Sequence, residues 1–141
     1  MATDPEIIIL DASIIVKWFN KELYSDKAVS FKNKHLNNEV IIYVPSLIYF
    51  EIANALRYNP EFGENDLVLV IQALKDLQLK VIPINDWLFN AISLAYKFGI
   101  TIYDASYIAL GQYFNAKIIT ADEKLKEKVN LPLLITLKEI D

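Results

Sequence analysis

A chain of 141 residues, 54% hydrophobic and 23% charged, can bury one substantial core, and its length favours a single domain over 1–141. It has no cysteine, which excludes disulfides, thiolate zinc sites and cysteine nucleophiles and fits a reducing, cytoplasmic setting. A formal net charge of −4 opposes broad, sequence-independent duplex binding, which depends on many basic contacts to phosphate, but acids gathered on a divalent cation would have their local field cancelled or inverted.

The amino terminus, Met1-Ala2-Thr3-Asp4-Pro5-Glu6, is acidic where a secretory signal is basic, so no signal peptide is expected. Glu6 to Leu10 is a continuous, β-branched apolar run of the kind that forms a central parallel strand, and it stops at Asp11. Similar runs at Val40–Val44, Leu79–Ile84, Lys117–Thr120 and Leu133–Thr136 predict four more strands. Helical periodicity falls between them, over 13–20, 24–36, 46–58, 64–78, 86–98, 104–114 and 122–129, with Gly99 closing the fifth helix. The longest apolar stretch, Val40 to Phe50, contains Pro45 and Ser46 and falls short of the ~20 residues that span a bilayer, so a soluble protein with no membrane partner is expected. This alternation predicts an α/β three-layer α/β/α sandwich around a mostly parallel sheet of about five strands. In such sheets ligands bind beyond the carboxyl ends of the strands, at a topological switch.

Four acids stand out against that frame. Asp11 follows the first strand and Asp122 lies just beyond the fourth, which places both on one rim, although either suits a helix N-cap. Asp104 opens Asp-Ala-Ser-Tyr-Ile-Ala-Leu and also reads as a cap; Asp11-Ala12-Ser13 is echoed by Asp104-Ala105-Ser106. Glu51 cannot cap, because it interrupts the apolar run from Leu47 to Ala53 and shares a helix face with Asn54. Burying it unpaired would cost several kcal/mol, so it should meet water, a cation or a partner such as Arg57 or a lysine. Four converging carboxylates repel one another unless a cation sits among them, and oxygen-only ligands suit Mg²⁺ or Mn²⁺ and not zinc.

Together, Asp11-Ala12-Ser13, Glu51-Ile52-Ala53-Asn54-Ala55-Leu56, Tyr103-Asp104-Ala105-Ser106-Tyr107 and Thr120-Ala121-Asp122 resemble the PIN-domain nucleases over nearly the whole chain. The likeness extends to the VapC-type toxin ribonucleases of VapBC toxin–antitoxin pairs, through Asp-Ala-Ser followed by an apolar helix with Val16-Lys17-Trp18-Phe19. It implies that Asp11, Glu51, Asp104 and Asp122 hold one or two Mg²⁺ or Mn²⁺ ions, the three aspartates as ligands and Glu51 at a second metal or the attacking water. Ser13, Asn54 and Thr120 would support them, or would serve only in local backbone bonding. The same resemblance implies single-stranded RNA as substrate, a homodimer, and a small antitoxin whose helical tail covers the groove. An RNA-processing role without toxicity stays open.

Ribonucleases that use the 2′-hydroxyl rely on general acids and bases, often histidines, and the single histidine, His35, reads as a solvated residue of a surface helix. Hydrolysis to 5′-phosphate and 3′-hydroxyl ends is therefore expected. Lys124, Lys126 and Lys128 could steer phosphates, but Glu123 and Glu127 alternate with them as on any solvated face. Of Trp18 and Phe19, one should be exposed for base stacking or a partner. A phosphoacceptor receiver domain competes poorly, because Pro83-Ile84-Asn85 follows the third strand where the acceptor aspartate would stand. A haloacid-dehalogenase phosphatase would need an aspartate at Ser13, and a non-catalytic PIN-like binding module would leave four acids without a task.

Overall fold

The computed structural model describes residues 4–141; Met1 to Thr3, part of the segment expected to lack a signal, lie outside the described residues. Five strands form the sheet: β1 (Glu6–Leu10), β2 (Val40–Pro45), β3 (Lys80–Ile82), β4 (Lys117–Thr120) and β5 (Leu134–Thr136). Their order is β3-β2-β1-β4-β5, and every pairing is parallel. The sheet is thus wholly parallel, beyond the mostly parallel expectation. Seven α-helices connect it: α1 (Ala12–Phe19), α2 (Ser25–Leu36), α3 (Ile48–Arg57), α4 (Glu64–Asp76), α5 (Leu88–Phe98), α6 (Ile102–Phe114) and α7 (Glu123–Lys128).

β1 is central because it is apolar on both faces, with Ile8, Ile9 and Leu10 all buried. From β1 the chain steps outward through β2 to β3, then returns across the sheet to β4 and β5. Right-handed crossovers therefore put α1 to α4 on one face and α5 to α7 on the other, giving the three-layer α/β/α sandwich. The reversal falls between β1 and β4, where Leu10 pairs with Ile119 and the Asp11 amide donates to the Ile119 carbonyl at 3.2 Å. That gap is the topological switch.

Helix ends explain most departures from the expected boundaries. Thr101, not Asp104, caps α6: its side chain accepts from the Asp104 amide at 3.0 Å, so Asp104 sits one turn inside the helix. Pro83 follows β3, and a short 3₁₀ turn, Ile84–Trp87, occupies the start of the expected fifth helix. Gly99 does close α5, at φ 65°. Gly111 lets α6 lie against β4, since a Cβ there would stand 2.3 Å from the Ile118 side chain.

Two sequence expectations are corrected. His35 is not simply solvated: its Nδ1 accepts from the Ile42 amide at 3.2 Å and its other ring nitrogen meets the Leu77 carbonyl at 2.8 Å, pinning α2 to β2 and to the end of α4. Neither Trp18 nor Phe19 is exposed. Both pack against the core, and the Trp18 indole donates to the Ala28 carbonyl at 2.7 Å, tying α1 to α2. Among the described residues no helix is long and apolar enough to cross a membrane.

Candidate active site

Asp11 leaves the end of β1 with an extended backbone and opens α1 as its N-cap. One carboxylate oxygen, Oδ1, accepts from the Ser13 amide at 3.0 Å and from the Ser13 hydroxyl. The Ser13 hydroxyl also accepts from the Ala121 amide at 2.9 Å and stands 3.4 Å from the Thr120 hydroxyl. Ser13 thus bridges the ends of β1 and β4. The fully buried Thr120 hydroxyl accepts from the Asp122 amide at 3.0 Å, and Asp122 caps α7 by accepting from Leu125 at 3.1 Å. Capping and site placement are therefore compatible: each aspartate uses one oxygen locally.

Glu51 reaches the same rim from α3 and finds a partner that is neither Arg57 nor a lysine. The Tyr107 hydroxyl, from α6, donates to its Oε1 at 2.5 Å. Sequence alone did not single out Tyr107, yet two signals were present: it lies three residues after Asp104, hence on the same helix face, and a buried phenol needs a partner. Asn54 is exposed and lines the cleft beside Glu51.

Each of the four acids is linked to at least one other through its charge. Burial pushes Asp11 up to about 6 against the opposing hydrogen bonds of Ser13 and Thr120, with the Asp104 charge adding to the rise. Burial is likewise the chief cause that raises Glu51 to about 7; the Tyr107 hydroxyl counters it, and the charges of Asp11 and Asp104 reinforce it. Asp104 is raised by burial and then by Asp122, and lowered by Thr101 and Lys128. The chain of repulsion runs Asp122, Asp104, Asp11, Glu51. Lys128 is the basic residue that offsets it.

A cleft of about 590 Å³ is lined by Ser13, Lys17, Glu22, Glu51, Asn54 and Asp122, with Lys17 and Glu22 paired at 3.1 Å. A second hollow of about 360 Å³, lined by Thr101, Asp104, Asp122, Lys124 and Lys128, shares Asp122 with it. Among the described residues no three acidic or histidine side chains form a ready-made cage for a metal ion. Asp11, Asp122 and Glu51 each accept a local hydrogen bond, from Ser13, Leu125 and Tyr107 respectively. The donor chemistry nonetheless fits a hard divalent cation, because oxygen donors that are buried or half-buried and repel their neighbours are short of positive charge.

The fold and this rim define an α/β domain with an acidic site at its topological switch. Its strand order excludes the receiver alternative, whose third strand is internal; here β3 is an edge strand ending at Pro83. The sequence profile of the PIN domain matches residues 8–131, and the chain belongs to the PIN-domain family. Over 134 residues it is 30% identical to Ribonuclease VapC3 of Pyrobaculum aerophilum, covering 92% of this chain and 98% of that protein. Among solved structures, a toxin–antitoxin complex from Klebsiella pneumoniae superposes with a TM-score of 0.70 at 16% identity, over 94% of this chain and 99% of that one. VapBC2 from Rickettsia felis, bound to a DNA fragment from its promoter, gives 0.59 at 17% identity, over 92% and 96%. These two likenesses bear on the fold.

Proposed function

We propose that the chain is a divalent-metal-dependent endoribonuclease acting on single-stranded RNA as the toxin of a toxin–antitoxin pair, working as one domain. The observation that carries this reading is the placement of Asp11, Glu51, Asp104 and Asp122 along the switch-point rim of a PIN fold, where Asp104 bears on Asp11 and Glu51 and Asp122 bears on Asp104. The full-length likeness to a VapC ribonuclease supports it.

Asp11, Asp104 and Asp122 would hold the Mg²⁺ or Mn²⁺, with Glu51 at a second ion or at the attacking water. When bound, such an ion supplies Lewis acidity at the phosphate and a lowered pKa for water. Ser13 holds Asp11 in place and Thr120 holds the start of the Asp122 loop. Glu51, with Oε1 taken by Tyr107, has Oε2 to accept the proton released as water attacks phosphorus, a task open to a carboxylate held at the edge of the cleft. Lys124 and Lys128 sit where a strand crossing from the main cleft past Asp122 would bring a phosphate. Water attacking in line with O3′ forms a P–O bond and breaks P–O3′, and O3′ leaves as a hydroxyl after taking a proton, giving a 5′-phosphate and a 3′-hydroxyl. A homodimer and a cognate antitoxin belong to this reading; the Klebsiella and Rickettsia proteins were solved in complexes whose names support a protein partner.

The test is cleavage of mixed single-stranded RNA with Mg²⁺ or Mn²⁺, with and without chelator. Asp11→Asn and Asp104→Asn should each lower the rate by about 100-fold or more, the scale of losing a group that acts directly. Metal-independent cleavage, indifference to both substitutions, or 2′,3′-cyclic phosphate ends would overturn the reading. Expression that arrests growth in the wild type but not in Asp104→Asn supports the toxin role, and a strict monomer at micromolar concentration removes the homodimer.

A further inference from the structure

Tyr107 is among the largest fully buried side chains, 1% exposed, in the part of α6 that packs across the sheet. Its hydroxyl does not turn to a nearby carbonyl. It crosses from α6 to α3 and donates to Glu51 Oε1. Among the described residues nothing else donates to that carboxylate, and Oε2 has no protein partner. We propose that Tyr107 is a positioning residue that holds the Glu51 carboxylate in the acidic rim and presents Oε2 to the cleft; this rests on the nuclease reading above.

The physical case begins with repulsion. Asp11 and Asp104 both push on the Glu51 charge, and Glu51 borders an open cleft into which a flexible side chain could swing. A glutamate has three rotatable bonds, so leaving the rim gains entropy as well as relief from like charge. A hydroxyl-to-carboxylate hydrogen bond opposes both, and at 2.5 Å it is of the short, charge-assisted kind. The donor is itself immobile, because its ring is locked in the core. Its helix also carries Asp104 three residues earlier, so a single rigid element sets one acid of the rim and orients another. Glu51 and Tyr107 are 56 positions apart, so the bond also links α3 to α6.

Tyr107→Phe keeps the ring and deletes only the donor. The measurements are kcat and KM on single-stranded RNA and, without RNA, Mn²⁺ binding by calorimetry, each also made in Glu51→Gln. Tyr107→Phe is expected to lower kcat about 10- to 100-fold, the range for residues that orient a ligand, with KM changed much less. Mn²⁺ should bind more weakly, and Tyr107→Phe should have no added effect in Glu51→Gln. Wild-type kcat and Mn²⁺ affinity in folded Tyr107→Phe, or losses that add to those of Glu51→Gln, overturn the proposal. Should Tyr107→Phe not fold, Glu51→Asp tests the bond from the other side: the shortened acid falls short of the hydroxyl and should bind Mn²⁺ as poorly as Glu51→Gln, whereas wild-type binding would overturn the role. An inactive wild type, or an Asp104→Asn that cleaves normally, removes the nuclease reading itself. An active wild type with inactive Asp104→Asn and unimpaired Tyr107→Phe removes only the role of Tyr107.

Discussion

Lys124, Lys126 and Lys128 look equivalent in a run of alternating charge, yet the fold separates them. The Lys126 ammonium donates to the Leu131 carbonyl at 3.1 Å and to the Leu134 carbonyl, so it fastens α7 to the start of β5. Lys124 and Lys128 instead border the hollow that contains Asp104 and Asp122. Replacing both by Gln should raise KM for RNA and flatten the salt dependence of binding by about 0.7 in log–log slope per lost phosphate contact, with only a small loss of stability, since Lys128 offsets the charge on Asp104 and reaches the Gly99 carbonyl at 3.4 Å. Lys126→Met should do the reverse, costing about 1–3 kcal/mol in urea unfolding by leaving two carbonyls without their donor, with KM unaffected. Equal effects of the three on KM would remove this division. Its invisibility in the sequence has a plain cause, since spacing shows which face a lysine is on but not which carbonyls come within reach from β5. The acids were easier. Asp11 and Asp122 follow strand ends and Glu51 breaks an apolar helix, so each is marked by its local context. Asp104 was visible but misread as a cap, because the competing cap, Thr101, depends on where the helix begins. Tyr107 was hidden among apolar neighbours, and only its tertiary partner reveals it.

Elements were legible wherever their period was regular, and less so at their ends. The apolar runs predicted β1, β2 and β4 nearly to the residue, because buried strands are built from uninterrupted β-branched residues. β3 shrank to Lys80–Ile82, since Pro83 has no amide to extend the ladder, and its status as an edge could not be read from hydrophobicity. The contact between α6 and β4 is equally tertiary: Gly111 looks like a weak spot inside a helix until Ile118 is seen against it. Gly111→Ala should destabilise by about 1–3 kcal/mol through overpacking, even though alanine is the better helix former. Combining it with Ile118→Ala should cost less than the two single effects added together, because the second change empties the space the first one needs. Additive losses in urea midpoints would show that the new methyl is accommodated elsewhere. His35 joins three elements in the same hidden way, and His35→Phe should cost about 1–3 kcal/mol by stranding the Ile42 amide and the Leu77 carbonyl.

At the scale of the molecule, the acidic rim makes stability depend on pH and on cations together. Asp11 and Glu51 are raised to about 6 and about 7 in the fold, and Asp104 is raised as well, so between roughly pH 4 and pH 7 the native state binds more protons than the unfolded chain. Stability must then fall as pH rises through that window, opposite to a protein whose acids sit in salt bridges. The metal-free protein should accordingly melt at a higher temperature at pH 5 than at pH 7.5. Asp11→Asn should flatten this slope and raise the pH 7.5 stability by about 1–2 kcal/mol, since Asp11 is nearly inaccessible to water and amide burial has no charge to desolvate. A divalent cation bound to the native state reverses the penalty where it is largest. Millimolar Mg²⁺ or Mn²⁺ should raise the melting temperature strongly at pH 7.5, weakly at pH 5, and less in Asp11→Asn at either pH; at 100 times Kd the gain is about 2.7 kcal/mol. Differential scanning fluorimetry over this grid of pH, metal and substitution checks all three dependences at once. A metal-induced gain that is equal at both pH values and untouched by Asp11→Asn would place the cation elsewhere on the surface, and the repelling acids would then have to be relieved by protonation alone.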